Sequence, residues 1–150
     1  MKIWVDADAC PGAVKEIILR AANRVGVRAV FVANKAIQVP PGPLVSTVRV
    51  SAGLDVADGH IARESETNDL AVTADIPLAA KLVAKDVVVI DPRGTLYDEE
   101  SVGEALSVRN FMHELREAGV ATNGPGAFSA RDSQRFAGAL DRALASSRRA

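Results

Sequence analysis

With 150 residues, 18 basic and 19 acidic side chains and a net charge of −1, the chain has no overall field to draw a polyanion, so any nucleic acid must be met locally. Aromatic residues make up 4%, too few for a base-stacking platform. The single cysteine, Cys10, excludes an internal disulfide, and no paired Cys/His spacing suggests a zinc framework.

The chain opens MKIWVDAD, meeting an acid after three apolar residues, where a signal peptide carries an apolar stretch of roughly 7–15. No apolar run approaches the ~20 residues of a membrane span. The expectation is one cytoplasmic domain over residues 1–150, with no membrane partner. Ile3 to Val5 reads as a short strand. Pro11 opens a helix whose stripe is Val14, Ile17, Ile18, Ala21, Ala22 and Val25, and Gly26 closes it. Val27 to Val32 is a second strand. A loop from Asn34 to Pro43, with Pro40 and Pro41, leads to a third strand, Leu44 to Val50. A short helix around Asp55 to Ser65 precedes a fourth strand, Leu70 to Thr73, a helix, Ile76 to Ala84, and a fifth strand, Val87 to Ile90.

Everything after Pro92 reads as helical. Two helices are expected between Asp98 and Ala118, because the phase of Val102, Ala105 and Leu106 gives way to that of Val108, Phe111, Met112 and Leu115, with Ser107 as the cap between them. Gly119 stops the second. A turn through Gly124, Pro125 and Gly126 leads to Ser129, which forms a capping box with Asp132 for a last helix carrying Phe136, Leu140 and Leu144; Arg148 and Arg149 fray. These late helices are candidates for a homodimer surface. The strand–helix rhythm predicts an α/β fold of three layers around a mostly parallel, Rossmann-like sheet of about five strands, with a helical C-terminal part.

Ligands in such sheets bind beyond the carboxyl ends of the strands, and there the sequence places aspartates. Asp6 and Asp8 follow strand one, Asp75 strand four and Asp91 strand five, while Asp55 and Asp58 lie one turn apart on the helix after strand three. Clustered carboxylates repel unless some take up protons or a hard cation such as Mg²⁺ or Mn²⁺ binds. The competing reading is that Asp8 and Asp75 simply cap the helices after them. Cys10, at a helix start among acids and far from either histidine, reads as a packing residue. His60 and His113 read as surface residues. No G-x-S-x-G, G-x-G-x-x-G or P-loop sequence occurs. Lys35, Arg49, Arg93 and Arg131 lie in loops or at element ends where they could take a substrate phosphate, although most read as solvated charges; Arg93, and after it Lys35, are the candidates carried forward, Arg93 because its guanidinium can bind bidentately beside the acids.

The segments MKIWVDADACP, LVSTVRV, GLDVAD, LAVTADIPLAAKL, DPRG and GPGAFSARDSQRFAGALD span nearly the whole chain, and through them the sequence resembles the bacterial YaiI/YqxD family. That family is similar to PIN-like nuclease domains, which carry an acid after strand one, another on a middle helix and another after a T-x-D strand. The resemblance implies Asp6, Asp58 and Asp75 as core ligands of Mg²⁺ or Mn²⁺, with Asp8, Asp55 or Asp91 completing the set. It leaves open which of Asp55 and Asp58 fills the helix position. The expected function is metal-dependent hydrolysis of a phosphodiester, in RNA ahead of DNA. The alternatives are a phosphatase of the haloacid dehalogenase type, which the D-x-D of Asp6 and Asp8 also suits, and a metal- or RNA-binding module without turnover.

Overall fold

Strand β1 (Lys2–Asp6) is buried from Ile3 onward, as expected of a central parallel strand covered on both faces. In a computed structural model that describes all residues except Pro41, Leu54, Pro125 and Ala150, and the backbone alone of Arg148 and Arg149, β1 pairs in parallel with β2 (Arg28–Ala33) on one side and with β4 (Leu70–Val72) on the other. The expectations that fall on Pro41, Pro125 and the Arg148 and Arg149 side chains lie outside the described residues. Beyond β2 lies β3 (Val45–Arg49), and beyond β4 come β5 (Val88–Ile90) and β6 (Leu96–Tyr97). The order is β3-β2-β1-β4-β5-β6, and only β6 runs antiparallel.

Helices cover both faces. Helix α1 (Gly12–Val25) and helix α5 (Ala130–Arg149) bury Val14, Ile18, Phe136 and Leu140 against Ile3, Val5 and Phe31. Helices α2 (Val56–Glu64), α3 (Ile76–Ala84) and α4 (Glu99–Glu117) bury Ile61, Leu78, Leu82 and Val102 against Trp4, Val30 and Val89. The three-layer α/β architecture is therefore as predicted, with six strands rather than about five. At the amino end of the sheet, buried Asp69 accepts hydrogen bonds from the Lys2 and Glu66 backbone N–H groups and from Trp4 Nε1, at 2.9–3.0 Å.

Two expectations need correction. The chain after Pro92 is not wholly helical: Asp91-Pro92-Arg93-Gly94 forms a turn, closed by Gly94 N–H donating to the Asp91 carbonyl at 3.0 Å, and Leu96–Tyr97 returns as β6. Gly94, at φ +94°, is required there, because a Cβ would lie 2.7 Å from the Arg135 carbonyl carbon. The two helices expected between Asp98 and Ala118 are one, α4, opened by a capping box of Asp98 and Ser101. Ser107 caps nothing. The change of apolar phase marks a change of surroundings: Val102 is buried against α3, whereas Val108 and Phe111 are each 59% exposed on a part of the helix that has left the core.

Candidate metal centre

Order β2-β1-β4 puts the topological switch point between β1 and β4, whose crossovers leave in opposite directions, and it is beyond the carboxyl ends of such strands that ligands of open α/β sheets bind. Asp6 is the last residue of β1 and is 8% exposed. Thr73, just past β4, donates from Oγ1 to Asp6 Oδ2 at 2.9 Å and accepts at the same oxygen from the Asp75 backbone N–H at 3.0 Å. Asp75 is the N-cap of α3, its Oδ1 accepting from Leu78 N–H at 2.9 Å. The cap uses one carboxylate oxygen.

Helix α2 packs against β1, β2 and α3 and brings the remaining acids. Asp55, its N-cap, sits in the left-handed region at φ 64° and makes no side-chain capping bond. Asp tolerates that conformation better than most residues, at a cost of about 1 kcal/mol. Carboxylate oxygens of Asp55, Asp58 and Asp75 lie within 4.8 Å of one another. Burial first, then a hydrogen bond and the charge of Asp75, then the charges of Asp6 and Asp55, push the Asp58 carboxyl up to about 7. Burial also raises Asp6, against the Thr73 hydrogen bond and with help from the charges of Asp75 and Asp8. Burial and neighbouring negative charge thus both oppose ionisation of Asp58 and Asp6.

The structure brings together Asp55, Asp58 and Asp75 most closely, with Asp6 behind them. Asp8 lies on the 3₁₀ turn Ala7–Ala9 and accepts from Asn34 N–H at 2.8 Å. It does not cap α1, whose N-cap is Pro11 without a side-chain bond. Asp91 stands apart, its Oδ1 accepting from the Arg93 and Thr95 backbone N–H groups, and it is not among the charges acting on Asp6 or Asp58. Arg93 turns to α5: it pairs with Asp132 at 3.1 Å, donates to the Gly126 carbonyl and lies over Phe128. Lys35 is exposed just beyond β2.

The residue the sequence reading passed over is Thr73, although its place two before Asp75 was the available signal. Burial and the charge of Asp6 raise Cys10 to about 12, against a lowering by Lys15, which leaves an inert buried thiol. His60 is half-buried, edge-on to Trp4. His113 is exposed on α4 beside Glu117.

A concavity of about 780 Å³ lies elsewhere, between α5 and the β5–β6 hairpin. It includes none of the aspartates above and gathers no titratable cluster among the described residues. The three converging carboxylates of Asp55, Asp58 and Asp75 form an all-oxygen donor set, of the kind that suits a hard divalent ion.

Comparison with known proteins agrees over almost the full length. The family model described as "Uncharacterized BCR, YaiI/YqxD family" matches residues 4–146. A UPF0178 protein of Myxococcus xanthus (strain DK1622) is 66% identical over 144 residues, covering 96% of this chain and 94% of its own. One of Syntrophobacter fumaroxidans (strain DSM 10017 / MPOB) is 55% identical over 144 residues, with the same coverage, and one of Halorhodospira halophila (strain DSM 244 / SL1) is 52% identical over 145, covering 97% and 96%. No solved structure matches the chain.

Proposed function

This chain belongs to the YaiI/YqxD family, and we propose that it is a divalent-cation-dependent phosphodiester hydrolase acting on nucleic acid, RNA ahead of DNA. The observation that carries the reading is the convergence of Asp55, Asp58 and Asp75 within 4.8 Å, backed by buried Asp6, at the switch point of a parallel sheet. Asp55, Asp58 and Asp75 would hold Mg²⁺ or Mn²⁺, with Asp6 and Asp8 as outer acids. Such a cation, when bound, supplies polarisation of a phosphoryl oxygen and a lowered pKa for water.

The chain's own residues do the rest. Thr73 fixes the Asp6 carboxylate and, through the Asp75 backbone, the start of α3. The Leu78 N–H takes one oxygen of Asp75 and so orients the other. Asp58, whose carboxyl is pushed up to about 7 by burial and by its hydrogen bond and charge contact with Asp75, offers a carboxylate oxygen to receive the proton of an attacking water. The order of acids also resembles the PIN-like pattern: Asp6 after the first strand, Asp58 on the helix, and Asp75 in Thr73-Ala74-Asp75. That likeness raises the prior without fixing the reaction. An aspartyl-phosphate mechanism is the weaker reading, because Asp6 is 8% exposed and its Oδ2 is held by Thr73.

The test is cleavage of end-labelled RNA and DNA oligonucleotides with Mg²⁺ or Mn²⁺, compared among wild type, Asp6→Asn and Asp75→Asn. Product from wild type and none from the variants is expected. Equal cleavage by all three would end the proposal, and tight binding with no product from wild type would favour a non-catalytic module.

A further inference from the structure

At the carboxyl ends of β2, which neighbours β1, and of β3, the edge strand beyond it, lies a concavity of about 210 Å³ lined by Lys35, Ile37, Thr47 and Arg49 among others. The parallel register sets Asp6 opposite Val32 and Ala33 opposite Arg49. Lys35 and Arg49 therefore leave the sheet at the same end as the acids. The loop that carries Lys35 is tied to the rim through Asn34 N–H on Asp8 at 2.8 Å, and β3 is tied to β2 past its end through Val50 N–H on the Ala33 carbonyl at 2.9 Å. Both basic side chains are exposed, and neither forms an ion pair among the described residues. Arg93, by contrast, is taken by Asp132 and Gly126.

We propose that Lys35 and Arg49 form a phosphate-binding notch that holds a nucleic-acid strand beside its scissile bond; the inference rests on the hydrolase reading above. A chain of net charge −1 with an acidic rim offers a polyanion no general attraction. Two exposed cations at the same end of the sheet, Lys35 just past β2 and Arg49 at the end of β3, supply it locally. The guanidinium binds phosphate as a fork, the ammonium acts as a compact point charge, and the Thr47 hydroxyl on the same wall can donate a further hydrogen bond. Contacts of this kind fix the register of a strand without reading its bases. The substrate class is therefore a polynucleotide that extends past the reacting phosphate, recognised by backbone and not by sequence.

The experiment uses the full chain with Mg²⁺ and a fluorescein-labelled 12-residue oligouridylate, reading anisotropy over a NaCl series and cleavage on gels from the same samples. Lys35→Gln/Arg49→Gln should weaken binding roughly tenfold or more. The salt slope of log K should become shallower by about 1 to 2, with the loss of cleavage falling on KM and not on kcat. Arg28→Gln, which removes a charge at the opposite end of β2, should change none of these. Wild-type binding with unchanged affinity and slope in the double variant, or an equal loss in Arg28→Gln, would overturn the notch and leave the hydrolase reading standing. A wild-type chain that neither binds nor cleaves the oligonucleotide would overturn both.

Discussion

Thr73 Oγ1 donates to Asp6 Oδ2 at 2.9 Å across 67 residues of sequence, so one hydroxyl joins the ends of the two strands that flank the switch point. Thr73 is 1% exposed, and nothing from solvent can replace it. Thr73→Val keeps the shape and removes the donor. It should cost about 1.5–3 kcal/mol, as for a lost hydrogen bond to a charged group, and weaken Mn²⁺ binding. Chemical denaturation and a Mn²⁺ titration monitored by thermal midpoint check both parts.

The rim also sets a dependence of stability on pH. In the folded protein Asp58 is pushed up to about 7, and Asp6 is raised as well, whereas in the unfolded chain both titrate as ordinary carboxylates. The folded state therefore binds more protons between about pH 4 and pH 7. The stability linked to these groups is fully present below that window and is lost as pH rises through it. With chelator present, the thermal midpoint should fall from pH 5 to pH 8 by an amount worth ~1 kcal/mol, after allowing for solvent screening of a partly exposed group. Asp58→Asn should flatten the curve, and Mg²⁺ at pH 8 should restore the lost midpoint in wild type alone.

Asp75 has two tasks that substitution can separate. Asn caps a helix about as well as Asp, while Ala does not. Without added cation, Asp75→Ala should be less stable than Asp75→Asn by ~1 kcal/mol, the value of the bond to Leu78. With Mn²⁺, both variants should lose the midpoint rise that wild type shows. Calorimetry with and without the ion distinguishes the cap from the ligand.

Helix α4 predicts a contrast along its own length. Val102 is 5% exposed, so Val102→Ala should destabilise by roughly 1–3 kcal/mol. Phe111 is 59% exposed, and Phe111→Ser should stay within about 0.5 kcal/mol. Urea midpoints for the two variants measure the difference.

Much of this fold is legible in the sequence because period and punctuation agree. The stripe from Val14 to Val25 ends at Gly26, which adopts φ +74° as a helix stop requires. Valine-rich runs mark β2 and β5 as buried on both faces. Strand β6 escapes notice because two residues carry no period. The better signal was the turn, since Asp91, Pro92 and Gly94 stand at the positions that favour a type I turn before the β-forming Thr95-Leu96-Tyr97. Helix α4 misleads because an apolar phase reports burial, and half of this helix has none to report.

The site follows the same logic. Acids at strand ends are visible one by one, but their distances are not: Asp55 meets Asp75 only because α2 packs on α3. Arg93 looked free because its partner, Asp132, is 39 residues away at the start of α5.

Trp4 is the chain's one tryptophan, and its position makes it an optical reporter. It lies two residues before Asp6 on β1. Its indole N–H is held by Asp69, and its ring meets His60 edge-on with centroids 6.1 Å apart, two residues past Asp58 on α2. Any settling of α2 toward β1 shifts the imidazole against the indole, and emission colour and yield follow. The molecule thus carries, unlabelled, a fluorophore two residues from Asp6 and in contact with the helix that bears Asp58.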